Sequence, residues 1–242
     1  MSKPVRGVTA ITYDFWNTLF GQNPKTRVQR AQAYGEILES AGFRIAPDAM
    51  TEAIEAGWQW YNSRWRANQV STAADGVDAF LAALAIEVPA SVHQELEEFL
   101  LVGPSPEEMV PAPQIGDTLE ALKLRGIRLG IICDVGFTPS TRLREYLAHY
   151  GLLGHFDHWT FSDEVGVFKP DAQMFRHASQ GLGSPEFREL AHVGDIRRTD
   201  VAGARAQGWT SVRYSELSDD QTDHEEADLV IATHLSLLDH LD

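Results

Sequence analysis

Cysteine is nearly absent from this 242-residue sequence, where Cys133 stands alone. A single thiol excludes an internal disulfide and makes a reducing, cytoplasmic compartment the natural assignment. No apolar run approaches the roughly 18 residues that a membrane-spanning helix needs. The opening MSKPVRGVTA leads into a strand pattern without the charged-then-apolar leader of a secreted chain. Internal repeats and low-complexity tracts are missing as well. Positive charge is short: 20 Lys and Arg stand against 35 Asp and Glu, for a net charge of −15. That balance repels phosphate backbones and anionic bilayers, which argues against nucleic-acid and membrane partners and for a small ligand. Arginine clusters would still attract a small anion.

What is present is ordinary for a globular chain, 43% hydrophobic and 23% charged, and long enough for one large α/β domain or a core with an insertion. Residues 8–20, VTAITYDFWNTLF, organise the rest. A β-branched run in which Thr9, Ile11 and Tyr13 alternate with Val8, Ala10 and Thr12 ends at Asp14, and Asn17 and Thr18 then supply turn chemistry. In open α/β sheets ligands bind beyond the carboxyl ends of the strands, so an Asp there is placed to meet a substrate. Taken alone, it would equally cap a turn.

Gly21, Asn23 and Pro24 punctuate the next stretch, with Thr26 as the expected N-cap of a helix carrying Val28, Ala31, Tyr34, Leu38 and Ala41. A second helix follows Pro47, and two more carry Val77, Phe80, Leu81 and Leu84, then Val92, Leu96, Phe99 and Leu100. Residues 25–102 thus read as about four helices without a strand. Pro104, Pro106, Pro111 and Pro113 break the chain, after which β and α patterns alternate, with strands expected near 127–133, 158–161, 190–193, 210–212 and 228–231. This alternation implies a doubly wound parallel α/β sheet, Rossmann-like, interrupted by an all-α cap. The expected division is a core of residues 1–21 and 111–242 and a cap of 22–110. The acid-rich stretch 215–228 reads as solvated surface without a function.

Four strand ends carry polar groups that share one edge of such a sheet: Asp14 and Thr18; Cys133 and Asp134; Lys169 in VFKP; and Asp195 with Asp200 in GDIRRTD. Singly, Lys169 reads as a solvated lysine before Pro170, Asp195 as a turn residue and Asp200 as an acid at a helix N-terminus. Together, in this order and with this insertion, they resemble the haloacid dehalogenase superfamily of hydrolases and phosphotransferases over essentially the whole chain. The resemblance implies that Asp14 is a nucleophile forming a covalent aspartyl intermediate and that Thr18 orients it. It implies that Lys169 pairs with Asp14, and that Asp195, Asp14 and the backbone carbonyl of Trp16 hold Mg²⁺. Asp200 would support that site through water or Lys169. Cys133 stands where Ser or Thr is usual and, with the amides of Asp134 and Val135, would bind the transferred group. Nothing cationic adjoins Cys133 in sequence, so it reads as a packed thiol.

One departure bears on function. Phosphatases of this superfamily carry a second Asp two residues after the nucleophile, as general acid and base; here Trp16 stands there, which forfeits a contribution of about 10² to 10⁴ in rate. Dehalogenases have an aromatic at this place, because halide leaves without a proton, but they work without metal and lack the first acid of the GDIRRTD pair. Arg27, Arg30, Arg64 and Arg66, with Trp58, Trp60 and Trp65, are the insertion's candidates for a carboxylate-binding apolar pocket. Each reads more simply as solvated charge or helical core. Phosphonoacetaldehyde hydrolases also lack the second Asp but need a cap lysine, and the insertion holds only Lys25. The leading expectation is a Mg²⁺-dependent phosphatase or phosphotransferase acting on a small anionic metabolite, ahead of a metal-independent 2-haloacid dehalogenase and of a ligand-binding homologue with little catalysis. Both enzymatic readings expect the cap to close over Asp14, so that changes near Gly21 or Pro111 alter turnover.

Overall fold

The computed structural model describes residues 7–241, apart from the side chains of Gln22, Pro24 and Arg27. In chain order its elements are β1 (Ala10–Tyr13), β2 (Phe20–Gln22), α1 (Pro24–Ser40), α2 (Pro47–Arg66), α3 (Ala73–Leu84), α4 (Ala90–Val102) and β3 (Met109–Pro111). There follow α5 (Ile115–Leu124), β4 (Arg128–Cys133), α6 (Ser140–His149), β5 (His158–Phe161), α7 (Ser162–Val165) and α8 (Ala172–Gly181). The chain ends with β6 (Leu190–Gly194), α9 (Ala202–Ala206), β7 (Thr210–Tyr214) and β8 (Leu229–Ile231). Among the described residues no helix is long and apolar enough to cross a membrane.

Six strands form one parallel sheet in the order β5-β4-β1-β6-β7-β8. β1 lies inside, with Tyr13 in register with Ile131 of β4 and Val193 of β6. All four of its residues are buried. The alternation read from its sequence therefore does not mark a wet face: Thr12 is buried too, its hydroxyl 2.8 Å from His192 Nδ1 and donating to the Ala191 carbonyl. Helices cover both faces of a parallel sheet, so an inner strand has no solvent side. The chain runs from β1 outward through β4 and β5, then returns to the other flank of β1 with β6. Such a reversal opens a crevice at the carboxyl ends of the strands.

The chain divides into two compact units, one of residues 1–22, 109–135 and 143–242, the other of residues 23–108 and Gly136–Arg142. The second is built on α1 to α4, whose core includes Leu38, Met50, Val77, Phe80, Leu81 and Leu96. Segment 136–142, expected in the core, belongs here because Phe137 packs on Tyr61 at 4.8 Å between ring centroids and fills the space over Gly76, where a Cβ would lie 2.7 Å from its ring. Two details of α1 differ from expectation. Asn23, not Thr26, is the N-cap, its side chain accepting from Lys25 N, because Pro24 takes the first helical position where its missing N–H costs nothing. Val28 is 70% exposed, so the apolar stripe of α1 runs through Tyr34, Ile37 and Leu38.

A two-stranded antiparallel ribbon was not foreseen. β2 and β3 pair Phe20 with Pro111, Gly21 with Val110 and Gln22 with Met109, so both expected hinges lie on one ribbon. Three-residue strands offer too short a pattern to read.

Candidate active site

β4, β1 and β6 are neighbours, and each ends beside a polar group: Cys133 and Asp134, Asp14, and Asp195. Asp14 is still tied to the sheet through its N–H, which donates to the Val193 carbonyl at 2.8 Å. Lys169 reaches the same place from the loop before α8. Its ammonium donates to Asp14 Oδ1 at 2.5 Å, to Asp200 Oδ1 at 2.6 Å and to the Ile132 carbonyl at 2.9 Å, which uses all three N–H bonds. Lys169 is 2% exposed; burial disfavours its charge, but Asp14 and Asp200 outweigh that and hold it protonated well above the usual lysine range.

Asp200 is fully engaged. Oδ1 also accepts from His192 Nε2 at 3.1 Å, while Oδ2 accepts from Ile196 N at 3.0 Å and from the Thr199 hydroxyl at 3.3 Å. Burial alone would raise its pKa, yet Lys169 and His192 hold the carboxyl well below the usual range. Gly194 makes this possible, since a Cβ there would sit 2.3 Å from Asp200 Cγ. Asp14 and Asp195 behave oppositely. Burial, reinforced by neighbouring carboxylates, pushes Asp14 up to about 7 and Asp195 up to about 8. Oxygens of Asp14, Asp195 and Asp200 lie within 4.8 Å of one another, so three carboxylates share one ammonium. A compact set of hard oxygens with too little positive charge fits a divalent cation such as Mg²⁺.

This imbalance has a sign that can be measured. Raised carboxyl pKa values favour the fold fully below the ordinary carboxylate range and lose that contribution as pH rises through the folded values, here about 7 and about 8. Buried His234, pushed down to about 4, contributes the other way up to the ordinary histidine range, so a comparison must cancel it. In chelator, Asp14→Asn is expected to melt above wild type by a margin that widens from about pH 5 to pH 8. Calorimetry of the two proteins across that range checks it, and a constant or shrinking margin would refute the raised Asp14.

The loop after Asp14 turns on one carbonyl: Phe15 O accepts from Leu19 N at 2.9 Å and from Phe20 N at 3.0 Å, and Asn17, at φ 56°, takes the left-handed step. Trp16 and Phe20 form an isolated parallel bridge through the Phe15 carbonyl and the Asn17 N–H, which leaves the Trp16 carbonyl outside the bridge. The Trp16 indole is half-buried, edge-on to Phe15 with ring centroids 5.1 Å apart.

Thr18 does not do what its place in the motif suggests. Its hydroxyl is buried and without a hydrogen-bond partner, and it makes no bond to Asp14; the residue is held instead by its carbonyl, which accepts from His234 Nε2 at 2.8 Å. The Val135 amide is likewise not free for a ligand, since it donates to Ser162 Oγ at 3.0 Å. Asp134 accepts from the Lys169 backbone N–H at 2.9 Å, and Cys133 is fully buried, its thiol pushed up by burial and by Asp14, hence protonated. In the helical unit Arg30 stacks over Phe99 at 4.5 Å and donates to its carbonyl. Arg64 donates to Ser71 Oγ at 2.8 Å and lies over Trp60, so these two arginines serve their own unit. Arg66 is exposed, Trp58 is 46% exposed and edge-on to Tyr61, and the Arg27 side chain lies outside the described residues.

The chain matches the family described as haloacid dehalogenase-like hydrolase over residues 8–208. It belongs to that family. Among curated members of the haloacid dehalogenase-like family, it is 35% identical to a glyceraldehyde 3-phosphate phosphatase of Methanothermobacter thermautotrophicus, over 48% of this chain and 50% of that protein. It is 31% identical to a pyrimidine 5′-nucleotidase of Escherichia coli, over 46% and 49%. The matches thus span about half the length of these relatives. A phosphatase of the same family from Thermococcus onnurineus superposes with a TM-score of 0.66 at 25% identity, covering 96% of this chain and 97% of that one. The L-2-haloacid dehalogenase of Xanthobacter autotrophicus, with chloropropionic acid covalently bound, superposes at 0.61 with 17% identity, over 95% and 96%, which shows a common fold.

Three residues of this family member's site escaped the sequence reading. His192 joins Asp200 to Thr12, and Ser162 takes the Val135 amide. Arg197 is the third, its N–H and guanidinium held by Asp220, Thr222 and Glu226 of the largely exposed segment 215–228. Only His192 left a signal, as a polar residue inside a strand that is otherwise apolar.

Proposed function

We propose that this protein is a Mg²⁺-dependent phosphatase that releases phosphate from a small phosphorylated metabolite through an aspartyl-phosphate at Asp14. The observation that carries the reading is the confrontation of Asp14 with Asp195, two buried carboxylates pushed up to about 7 and about 8. A buried Asp195 with no cation to serve would be a standing cost. Phosphatases among the relatives support the same choice. Asp14, Asp195 and the Trp16 carbonyl would hold the ion, which when bound supplies charge neutralisation for phosphoryl oxygens and for Asp14 itself.

The chain's own residues do the rest. Asp14 Oδ1 is oriented by Lys169, which Asp200 and the Ile132 carbonyl keep in place, leaving Oδ2 to attack phosphorus. The Cys133 thiol and Asp134 N–H lie at the adjacent strand end as donors to the transferred group. Trp16 offers no proton to the leaving alcohol, so aryl phosphates, which leave as weakly basic phenolates, should turn over far faster than alkyl phosphates. Trp16→Asp should raise alkyl phosphate turnover about tenfold, a fraction of the full general-acid contribution, and narrow that ratio. An unchanged ratio would mean that another group already supplies the proton.

The deciding experiment is turnover in parallel: phosphate release from a metabolite panel and halide release from 2-haloacids, each with Mg²⁺ and with chelator. Phosphate release that needs both metal and Asp14 supports the proposal. Trp16 itself favours a second reading, a metal-independent 2-haloacid dehalogenase, and chelator-resistant halide release would establish it. Binding of phosphorylated ligands without release of either product would favour a non-catalytic homologue.

A further inference from the structure

Three central strands meet at one register position, where Thr12 of β1 pairs with Gly130 of β4 on one side and with His192 of β6 on the other. Neighbours in register share a face of the sheet. Gly130 leaves room for the Thr12 methyl, since a Cβ there would lie 3.2 Å from Cγ2, and the Thr12 hydroxyl is left to meet His192 at 2.8 Å.

His192 is 1% exposed, in a strand whose every residue is buried, where a ring nitrogen without a partner would be costly. Both nitrogens are paired, and Phe175 of α8 packs edge-on to the ring with centroids 5.5 Å apart. Asp200, kept ionised against burial by Lys169, can only accept, so the proton of the ring sits on Nε2, 3.1 Å from Asp200 Oδ1. Burial and the nearby Lys169 disfavour a second proton. Nδ1 is therefore an acceptor, and the Thr12 hydroxyl shares its one proton between Nδ1 at 2.8 Å and the Ala191 carbonyl at 3.3 Å.

Asp200 Oδ1 is also the oxygen on which the Lys169 ammonium rests at 2.6 Å, and the same ammonium holds Asp14 Oδ1. Ile196 N and the Thr199 hydroxyl are spent on Oδ2. The ring thus steadies the oxygen that steadies the ammonium.

We propose that His192, seated on Thr12, is a positioning residue whose Nε2–H fixes Asp200 Oδ1 and, through that oxygen, the Lys169 ammonium that aims Asp14 at phosphorus. The proposal rests on the reading of Asp14 as nucleophile given above. A displacement of about 1 Å, even one that starts away from the reacting atoms, can cost on the order of 10²-fold in rate.

The test is single-turnover phosphate release and KM, on the full chain with Mg²⁺ and the panel's best substrate, for wild type, His192→Gln, His192→Leu, Thr12→Val and Asp14→Asn. Nitrogen NMR of the histidine-labelled protein accompanies it. His192→Leu, which has no donor, should slow the single turnover about 10- to 100-fold while KM stays within about twofold of wild type. His192→Gln, whose amide nitrogen stands in for Nε2, should stay within about threefold, and Thr12→Val, isosteric but with no proton for Nδ1, should lose about tenfold. The His192 ring, assigned by the signal that His192→Gln removes, should carry its proton on Nε2. Equal losses in the Gln and Leu variants, or a His192→Leu rate within about threefold of wild type, would overturn the proposal while Asp14→Asn stays inactive. An Nε2 without a proton would do the same. Should His192→Leu not fold, a wild-type rate in Thr12→Val overturns the proposal in its place. Turnover near wild type in Asp14→Asn would overturn the nucleophile reading itself.

Discussion

Asp14→Asn is expected to lower turnover by on the order of 10⁴ to 10⁶, with the fold intact. The amide is nearly isosteric, so the loop that turns on the Phe15 carbonyl and the Asp14 N–H bond to Val193 should persist. What it lacks is the negative charge that attacks phosphorus, and no other side chain stands ready. Asp200 spends both oxygens on Lys169, His192, Ile196 and Thr199, and the Cys133 thiol is kept protonated by burial. Single-turnover phosphate release from the panel's best substrate checks this, and residual activity within about tenfold of wild type would refute covalent catalysis at Asp14. Because a buried carboxylate is removed, the inactive variant should also be no less stable than wild type, the usual sense of a trade between activity and stability.

Lys169→Met should be the most destabilising exchange at the site. The ammonium is the one cation in direct contact with Asp14 and Asp200 in the described structure, and replacing it by an isosteric apolar chain leaves two buried carboxylates facing each other. Breaking a buried pair by removing one partner costs about 3–5 kcal/mol, which for a chain of this size lowers the melting temperature by about 6–20 °C. The double variant Lys169→Met, Asp200→Asn should recover part of the loss, since the two residues share a bond. Thermal melts of the three proteins in chelator decide it. A single-variant shift below about 2 °C would show that the carboxylates are relieved by protonation or water, not by Lys169.

What could be read from the sequence follows from length and period. β1, β4, β6 and β7 are runs of four to six residues with apolar or β-branched character, and their alternation with helices implies a parallel sheet, whereas the order of the strands in it comes from the fold. Asp14 and Asp195 are legible because each directly follows a strand, whereas Lys169, in the loop between α7 and α8, and Asp200, in the helical segment after β6, join them in the sequence only through the order of the motifs. The β2–β3 ribbon was not legible, being three residues against three. Nor was the idle Thr18 hydroxyl, because a motif names a residue type and not the direction its oxygen takes. Segment 215–228 is largely exposed, as its unpatterned acids suggest, but only the fold reveals that Asp219 and Glu226 stand opposite Arg197 and Arg213.

The short ribbon has a consequence for how such a chain can change. Gln22 and Met109 are paired neighbours, so the helical insertion departs and returns one strand spacing apart, whatever its content. A hairpin turn of about two residues could close the same gap. The register of the six-stranded sheet is therefore insulated from the length of what is inserted. An insertion of another size or fold could be grafted between Gln22 and Met109 and leave Asp14, Lys169 and Asp195 where they are, so recombination could explore new specificities while the chemistry stays in place.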